Sequence, residues 1–133
     1  MAKIHARRAL ALVGTPFRPQ GRRVADGLDC LGLALAVYDL PAGVGRNDYR
    51  LRGDHRDELE AAIRIYFRKL RTAAPMAGDL LLMLPAGDQF HLGILTRHGF
   101  VHADARLRRV VETPGVPEWP AEAIFRLRPG SSR

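Results

Sequence analysis

The sequence predicts an α+β fold in which N-terminal helices pack on one face of a five-stranded antiparallel sheet. Three observations predict it. Apolar residues recur at helical spacing through the first half of the chain. After Pro75 they fall instead into five short runs separated by turn residues, and Arg97-His98-Gly99 joins two of these runs closely enough for a hairpin. With 133 residues, 47% of them hydrophobic, the span 1–133 reads as one domain around one core.

The first helix is expected to begin at the N-terminus and to end at Gly14. Thr15 to Gly27, with two prolines and two glycines, reads as an irregular loop. Asp29 is a plausible N-cap for a second helix over about Cys30 to Leu40, whose apolar stripe is Leu31, Ala34, Leu35, Val37 and Tyr38. Pro41-Ala-Gly43 stops that helix, and Gly43 to Gly53 reads as a loop, with its relation to a cleft left open by the sequence. Asp54 or Asp57 then caps a further helix, with Leu59, Ile63, Phe67 and Leu70 on its inner face. The strands are expected at Asp79 to Leu84, Phe90 to Thr96, Phe100 to Ala103, Arg109 to Thr113 and Ile124 to Arg128, connected as a meander. Pairing about the 97–99 turn would set Ile94 opposite His102 and leave His91 near Ala105.

Composition excludes several classes of function. No apolar run approaches the roughly 20 residues of a membrane span, and the stretch Ala9 to Val13 is too short for the core of a signal peptide, so neither a span nor a signal is expected. A single cysteine permits no internal disulfide. The formal charge of +7 suits an acidic partner, yet the arginines are spread along the chain without a finger, an aromatic RNA-binding motif or a dense basic arm. Nucleic acid is therefore not expected as a partner. Anionic wall polymers fit the charge equally well.

Chemistry concentrates on Cys30. A thiol at a helix start faces unpaired backbone N–H groups and the positive end of the dipole, which favour thiolate. A thiol nucleophile also needs a base held by a third polar group. His5, His55 and His98 read as exposed polar residues, but His91 and His102 interrupt apolar strands. Alternation puts His91, Gly93 and Leu95 on one face and Leu92 and Ile94 on the other, with the glycine leaving room beside the histidine. Either histidine alone suits a satisfied sheet position. Together with a cysteine at a helix start, in the order Cys, His, polar, they match the papain-like arrangement.

The chain resembles the NlpC family of papain-like bacterial cell-wall cysteine peptidases, and in particular its phage and gene-transfer-agent branch. The matching pieces are Gly14-Thr-Pro-Phe17, Gly27-Leu-Asp-Cys30-Leu-Gly-Leu33, Gly78-Asp-Leu-Leu81, His91-Leu-Gly-Ile94, Phe100-Val-His-Ala103 and Val110-Val-Glu-Thr-Pro114, in family order across nearly the whole chain. The resemblance implies Cys30 as nucleophile, His91 as base and acid, and His102 as the residue that orients His91. It also implies Phe17, Asp29 and Leu31 as the substrate subsite, no cofactor and no metal. Its implied substrate is a peptidoglycan stem peptide, cut between D-glutamate and a diamino acid. Its implied partners are phage tail proteins, with synthesis in the cytoplasm and delivery to the wall by the particle. Two residues depart from the pattern: Phe17 stands where many members have tyrosine, and Leu31 where many have serine. Two alternatives stay open on the same fold, a tail-assembly protein without turnover and a thiol amidase or acyltransferase acting on a non-wall amide.

Overall fold

In a computed structural model, residues 2–40, 56–85, 90–119 and 121–130 are described. Helix α1 (Ala2–Ala11) and helix α2 (Cys30–Tyr38) flank a small ribbon made of β1 (Arg22–Arg23) and β2 (Gly27–Leu28). Helix α3 (Arg56–Tyr66) runs directly into β3 (Phe67–Lys69), and five more strands follow: β4 (Leu80–Met83), β5 (His91–Leu95), β6 (Gly99–Asp104), β7 (Arg109–Pro114) and β8 (Ala121–Leu127). The expected stop at Pro41 to Gly43, the loop to Gly53, the Asp54 cap and His55 lie outside the described residues, as does the side chain of Asp57.

The fold is α+β, as the sequence predicts, with a six-stranded antiparallel sheet in the order β3-β8-β4-β5-β6-β7. Two details differ from the expectation of five strands in a meander. The apolar stripe through Phe67 and Leu70 does not continue the helix, because the chain extends at Phe67 and pairs with β8, Phe67 opposite Leu127 and Lys69 opposite Phe125. Phe67 keeps its buried place either way, so helical spacing alone could not find the switch. The second difference is that β8 inserts between β3 and β4, with Leu80 opposite Phe125. The loop expected between Thr15 and Gly27 also contains ordered pairing, since β1 lies inside it.

The core lies between the helices and one face of the sheet. Leu80, Leu82, Leu92, Ile94, Val101, Ala103 and Phe125 point to this side and meet Leu33, Ala34, Val37 and Tyr38 of α2. The Tyr38 ring stands edge-on to Phe67 at 4.9 Å, and its hydroxyl donates to the Gly78 carbonyl at 2.8 Å, which satisfies the one polar atom of a fully buried ring. On the opposite face Leu81, Met83 and Phe100 form a smaller cluster with Leu95, Trp119 and Ile124.

Register decides what the histidines can do. The β5/β6 hairpin pairs Leu95 with Phe100, Ile94 with Val101 and Gly93 with His102, one residue away from the expected register. Thr96 closes the turn by accepting the Gly99 N–H on Oγ1 at 3.0 Å and donating its own N–H to the Gly99 carbonyl at 2.9 Å. A one-residue slip exchanges the faces of a strand. His102 therefore lies diagonal to His91 on a shared face, with the side-chain-free Gly93 between them.

Candidate active site

Asp29 sets the start of α2. Its backbone is extended at φ −95 and ψ −172, and Oδ1 accepts the Gly32 N–H at 2.8 Å, as an N-cap should. The same oxygen receives Arg22 Nη1 at 2.7 Å, and Oδ2 receives the Gln20 N–H at 3.1 Å. The chain from Pro16 to Leu28 is thereby tied around the helix start. Gly32 allows this closeness, because a Cβ there would collide with the Gly21 carbonyl oxygen.

Cys30 is 1% exposed and lines a cavity of about 190 Å³. Phe17, His91, Asp104, Arg106 and Trp119 line the same cavity. Beyond it, His91 Nε2 and His102 Nδ1 are 2.8 Å apart, with the rings nearly perpendicular at 88°. His102 Nε2 in turn sits 2.8 Å from Thr113 Oγ1 on β7. Trp119 stands edge-on to both imidazoles, with centroids 5.3 Å from His91 and 6.0 Å from His102. Since Nε2 of His91 is engaged, Nδ1 is the nitrogen it has left for the cavity.

Electrostatics depart from the expectation of a thiolate. Burial pushes the Cys30 thiol up to about 12, and the neighbouring Asp29 carboxylate pushes the same way. Hydrogen bonds from the backbones of Leu92 and Leu31, together with the more distant Arg22, favour the thiolate but are outweighed. The dipole argument fails here because burial of the sulfur outweighs it, and the carboxylate that caps α2 adds to the shift at the positive end of the helix. His91 moves in the complementary direction, down to about 4, through burial and then the neighbouring His102, with Asp104 opposing. Burial also lowers His102. Both partners are thus held neutral.

The structure brings Phe17, Cys30 and His91 to one cavity and sets His102 behind His91. It does not bring Asp29 or Leu31 there. The carboxylate of Asp29 is consumed by the cap and by Arg22, and Leu31 points to the opposite side, into an apolar pocket with Leu59, Ile63 and Phe67. Neither borders the cavity as a substrate subsite. Sequence reading passed over Thr113, Trp119, Asp104 and Arg106. The signal for Thr113 was present, since it alternates with Val111 on β7, but it could be read only once His102 was known to pair with Val111. Among the described residues no group of three or more His, Cys, Asp or Glu could hold a metal ion, and no helix is long and apolar enough to cross a membrane.

The sequence matches no family model and no curated protein. Solved structures do resemble it. The NlpC/p60 domain of the peptidoglycan hydrolase SagA superposes with a TM-score of 0.60 at 23% identity, covering 86% of this chain and 89% of that one. The peptidoglycan hydrolase RipB from Mycobacterium tuberculosis gives 0.58 at 25% identity over 94% of this chain. An NLP/P60-family protein similar to lipoprotein, from Staphylococcus aureus, gives 0.59 at 21% over 95%. The chain spans 63% of the RipB structure and 41% of the Staphylococcus aureus one. The fold is that of the NlpC/p60 domain.

Proposed function

We propose that this chain, with its NlpC/p60 fold, is a cysteine peptidase that hydrolyses peptidoglycan stem peptides. One observation carries the reading: Cys30 at the start of α2 and His91 at the start of β5 line one cavity, while the second nitrogen of His91 is engaged by His102. The solved structures it resembles include domains named as peptidoglycan hydrolases, which supports the substrate class. At a finer level we assign the bond between D-glutamate and a diamino acid, and a place on a phage or prophage tail. The ordered motifs from Gly14 to Pro114 support both.

The chemistry follows from the protonation states. Cys30 starts as a thiol and His91 as a neutral base. As the sulfur attacks the scissile carbonyl carbon, its proton passes to Nδ1 of His91. The negative oxygen formed needs a backbone donor. Of the first-turn N–H groups, that of Gly32 is given to Asp29 and that of Leu31 to the sulfur, which leaves the N–H of Cys30 itself. The imidazolium of His91 returns its proton to the nitrogen of the breaking C–N bond, and the amine leaves. Water, deprotonated by His91, then attacks the thioester carbon, releasing the carboxylate and restoring the thiol.

The test is digestion of purified muropeptides, read by mass spectrometry. Wild type should release stem-peptide fragments and Cys30→Ala should release none. Release by both proteins, or by neither, defeats the peptidase reading. A non-catalytic tail-assembly role is the second reading, favoured by one observation: the Cys30 thiol is 1% exposed, and that burial disfavours the thiolate. It predicts no release by either protein, together with a stable complex with tail proteins.

A further inference from the structure

We infer that Thr113 is a positioning residue that supplies the acceptor needed by the proton pattern in which His91 donates to His102, and that it stabilises His91 when it carries a proton. The inference rests on the reading of His91 as the base. It concerns the far end of the chain of contacts running from the cavity through His91 and His102 to β7.

The argument is one of donors and acceptors. A neutral imidazole has one N–H and one bare nitrogen, and an imidazolium has two N–H groups. For His91 to take the thiol proton at Nδ1, its Nε2 must carry hydrogen and donate to His102 Nδ1, 2.8 Å away. His102 Nδ1 is then the bare nitrogen, so its own hydrogen sits on Nε2. That hydrogen points at Thr113 Oγ1, also at 2.8 Å. The pattern becomes obligatory once His91 is an imidazolium, since both its nitrogens then donate and His102 can only accept.

His102 is 3% exposed, so an Nε2–H without an acceptor would be a buried unpaired donor. The hydroxyl of Thr113 supplies the acceptor. The opposite pattern, with His102 Nδ1–H donating to His91, would leave His91 with a hydrogen on Nδ1 and no means of accepting one from Cys30. Sheet register holds the hydroxyl in place. Thr113 pairs with Phe100 and Val111 pairs with His102, which sets Thr113 diagonal to His102 on the same face. Its branched Cβ restricts the rotamer. The other charged or titratable groups at the cavity are Cys30, Asp104 and Arg106. The Asp104 carboxylate raises both histidines, the same direction as Thr113, but it lies on β6 with Oδ1 held by the Arg106 and Leu107 N–H groups, so it is common to wild type and Thr113→Val and does not account for a difference between them.

The test compares Thr113→Val, which keeps the shape and removes the hydroxyl, with Thr113→Ser, which restores it. On muropeptides, Thr113→Val is expected to lose about 10- to 100-fold in kcat with KM little changed, as for removal of one buried hydrogen-bond partner. The acid limb of its kcat/KM profile should move to lower pH, because the imidazolium has lost support. Thr113→Ser should return both towards wild type. Activity of Thr113→Val within about twofold of wild type overturns the inference. So does a loss that Ser fails to rescue while the acid limb stays in place.

A second readout stands apart from turnover. Nitrogen-15 NMR of the histidine rings, without substrate, should show hydrogen on Nε2 of both His91 and His102 in wild type, and a shift towards hydrogen on Nδ1 of His102 in Thr113→Val. Identical patterns in the two proteins overturn the inference. If no variant cleaves muropeptides, the peptidase reading falls while the ring-nitrogen comparison still decides the role of Thr113.

Discussion

Cys30 and His91 share a cavity as two neutral groups, and this sets how the thiol should behave before substrate arrives. With the thiol pushed up to about 12, iodoacetamide should alkylate Cys30 slowly at neutral pH and faster only towards alkaline pH. The carboxylate of Asp29 is one cause of the shift, so Asp29→Asn should lower the thiol and speed alkylation at pH 8 by about 3- to 10-fold. Asparagine still caps α2 through its side-chain oxygen, so the helix start is retained. A rate equal to or below wild type, in a protein with an unchanged circular dichroism spectrum, would mean that burial alone sets the thiol. The residues themselves were legible: a lone cysteine after an N-cap aspartate and two histidines breaking apolar strands are local features. The state of the thiol was not. It depends on burial, and on β5 packing against the sulfur from about sixty positions away, which local pattern does not carry.

Elements fold here against some of their own propensities, and Gly32 is the clearest case. An alanine inside a helix is ordinarily about 1 kcal/mol better than glycine. At Gly32 the added Cβ would meet the Gly21 carbonyl oxygen, a backbone atom that cannot swing aside. Gly32→Ala should therefore destabilise the protein by at least about 2 kcal/mol in urea unfolding, a sign opposite to propensity, because it forces apart α2 and the segment carrying β1. A variant as stable as wild type would show that this segment yields freely. The same closeness explains what the sequence hid. Alternation and helical spacing identified α2, α3 and all five strands from β4 to β8. The β3 strand was absorbed into the helix before it because Phe67 is buried in either form. The β5/β6 register was missed by one residue because Thr96 and Gly99, rather than Arg97-His98-Gly99 alone, close the turn. That one residue is what brings His102 to His91.

For the molecule as a whole, the C-terminal strand links the halves, and buried histidines tie its stability to pH. β8 lies between β3 and β4, and Arg126 on β8 grips Asp79 ahead of β4 with two contacts of 2.9 Å, Nε to Oδ1 and Nη2 to Oδ2. Such a non-local pairing joins segments more than forty residues apart, and it leaves no trace in local periodicity. Around this frame sit His5, His91 and His102, each lowered from the usual 6.5, with burial the largest cause. His5 also has Nδ1 buried with no hydrogen-bond partner among the described residues. A histidine whose folded value lies below its unfolded value takes up its proton more readily when unfolded. Its contribution to stability is full above pH 6.5 and drains away as the pH falls, for His91 down to about 4. Each such group contributes a slope of up to about 1.4 kcal/mol per pH unit within its window. Thermal melts should therefore show Tm falling between pH 6.5 and 5, where most carboxylates still hold their charge, and His91→Gln should flatten that fall by one proton's share. A Tm that stays level across this window would mean that the three imidazoles are hydrated and protonate freely in the folded protein, and the neutral pair on which the proposed thiol chemistry depends would then be lost below pH 6.5.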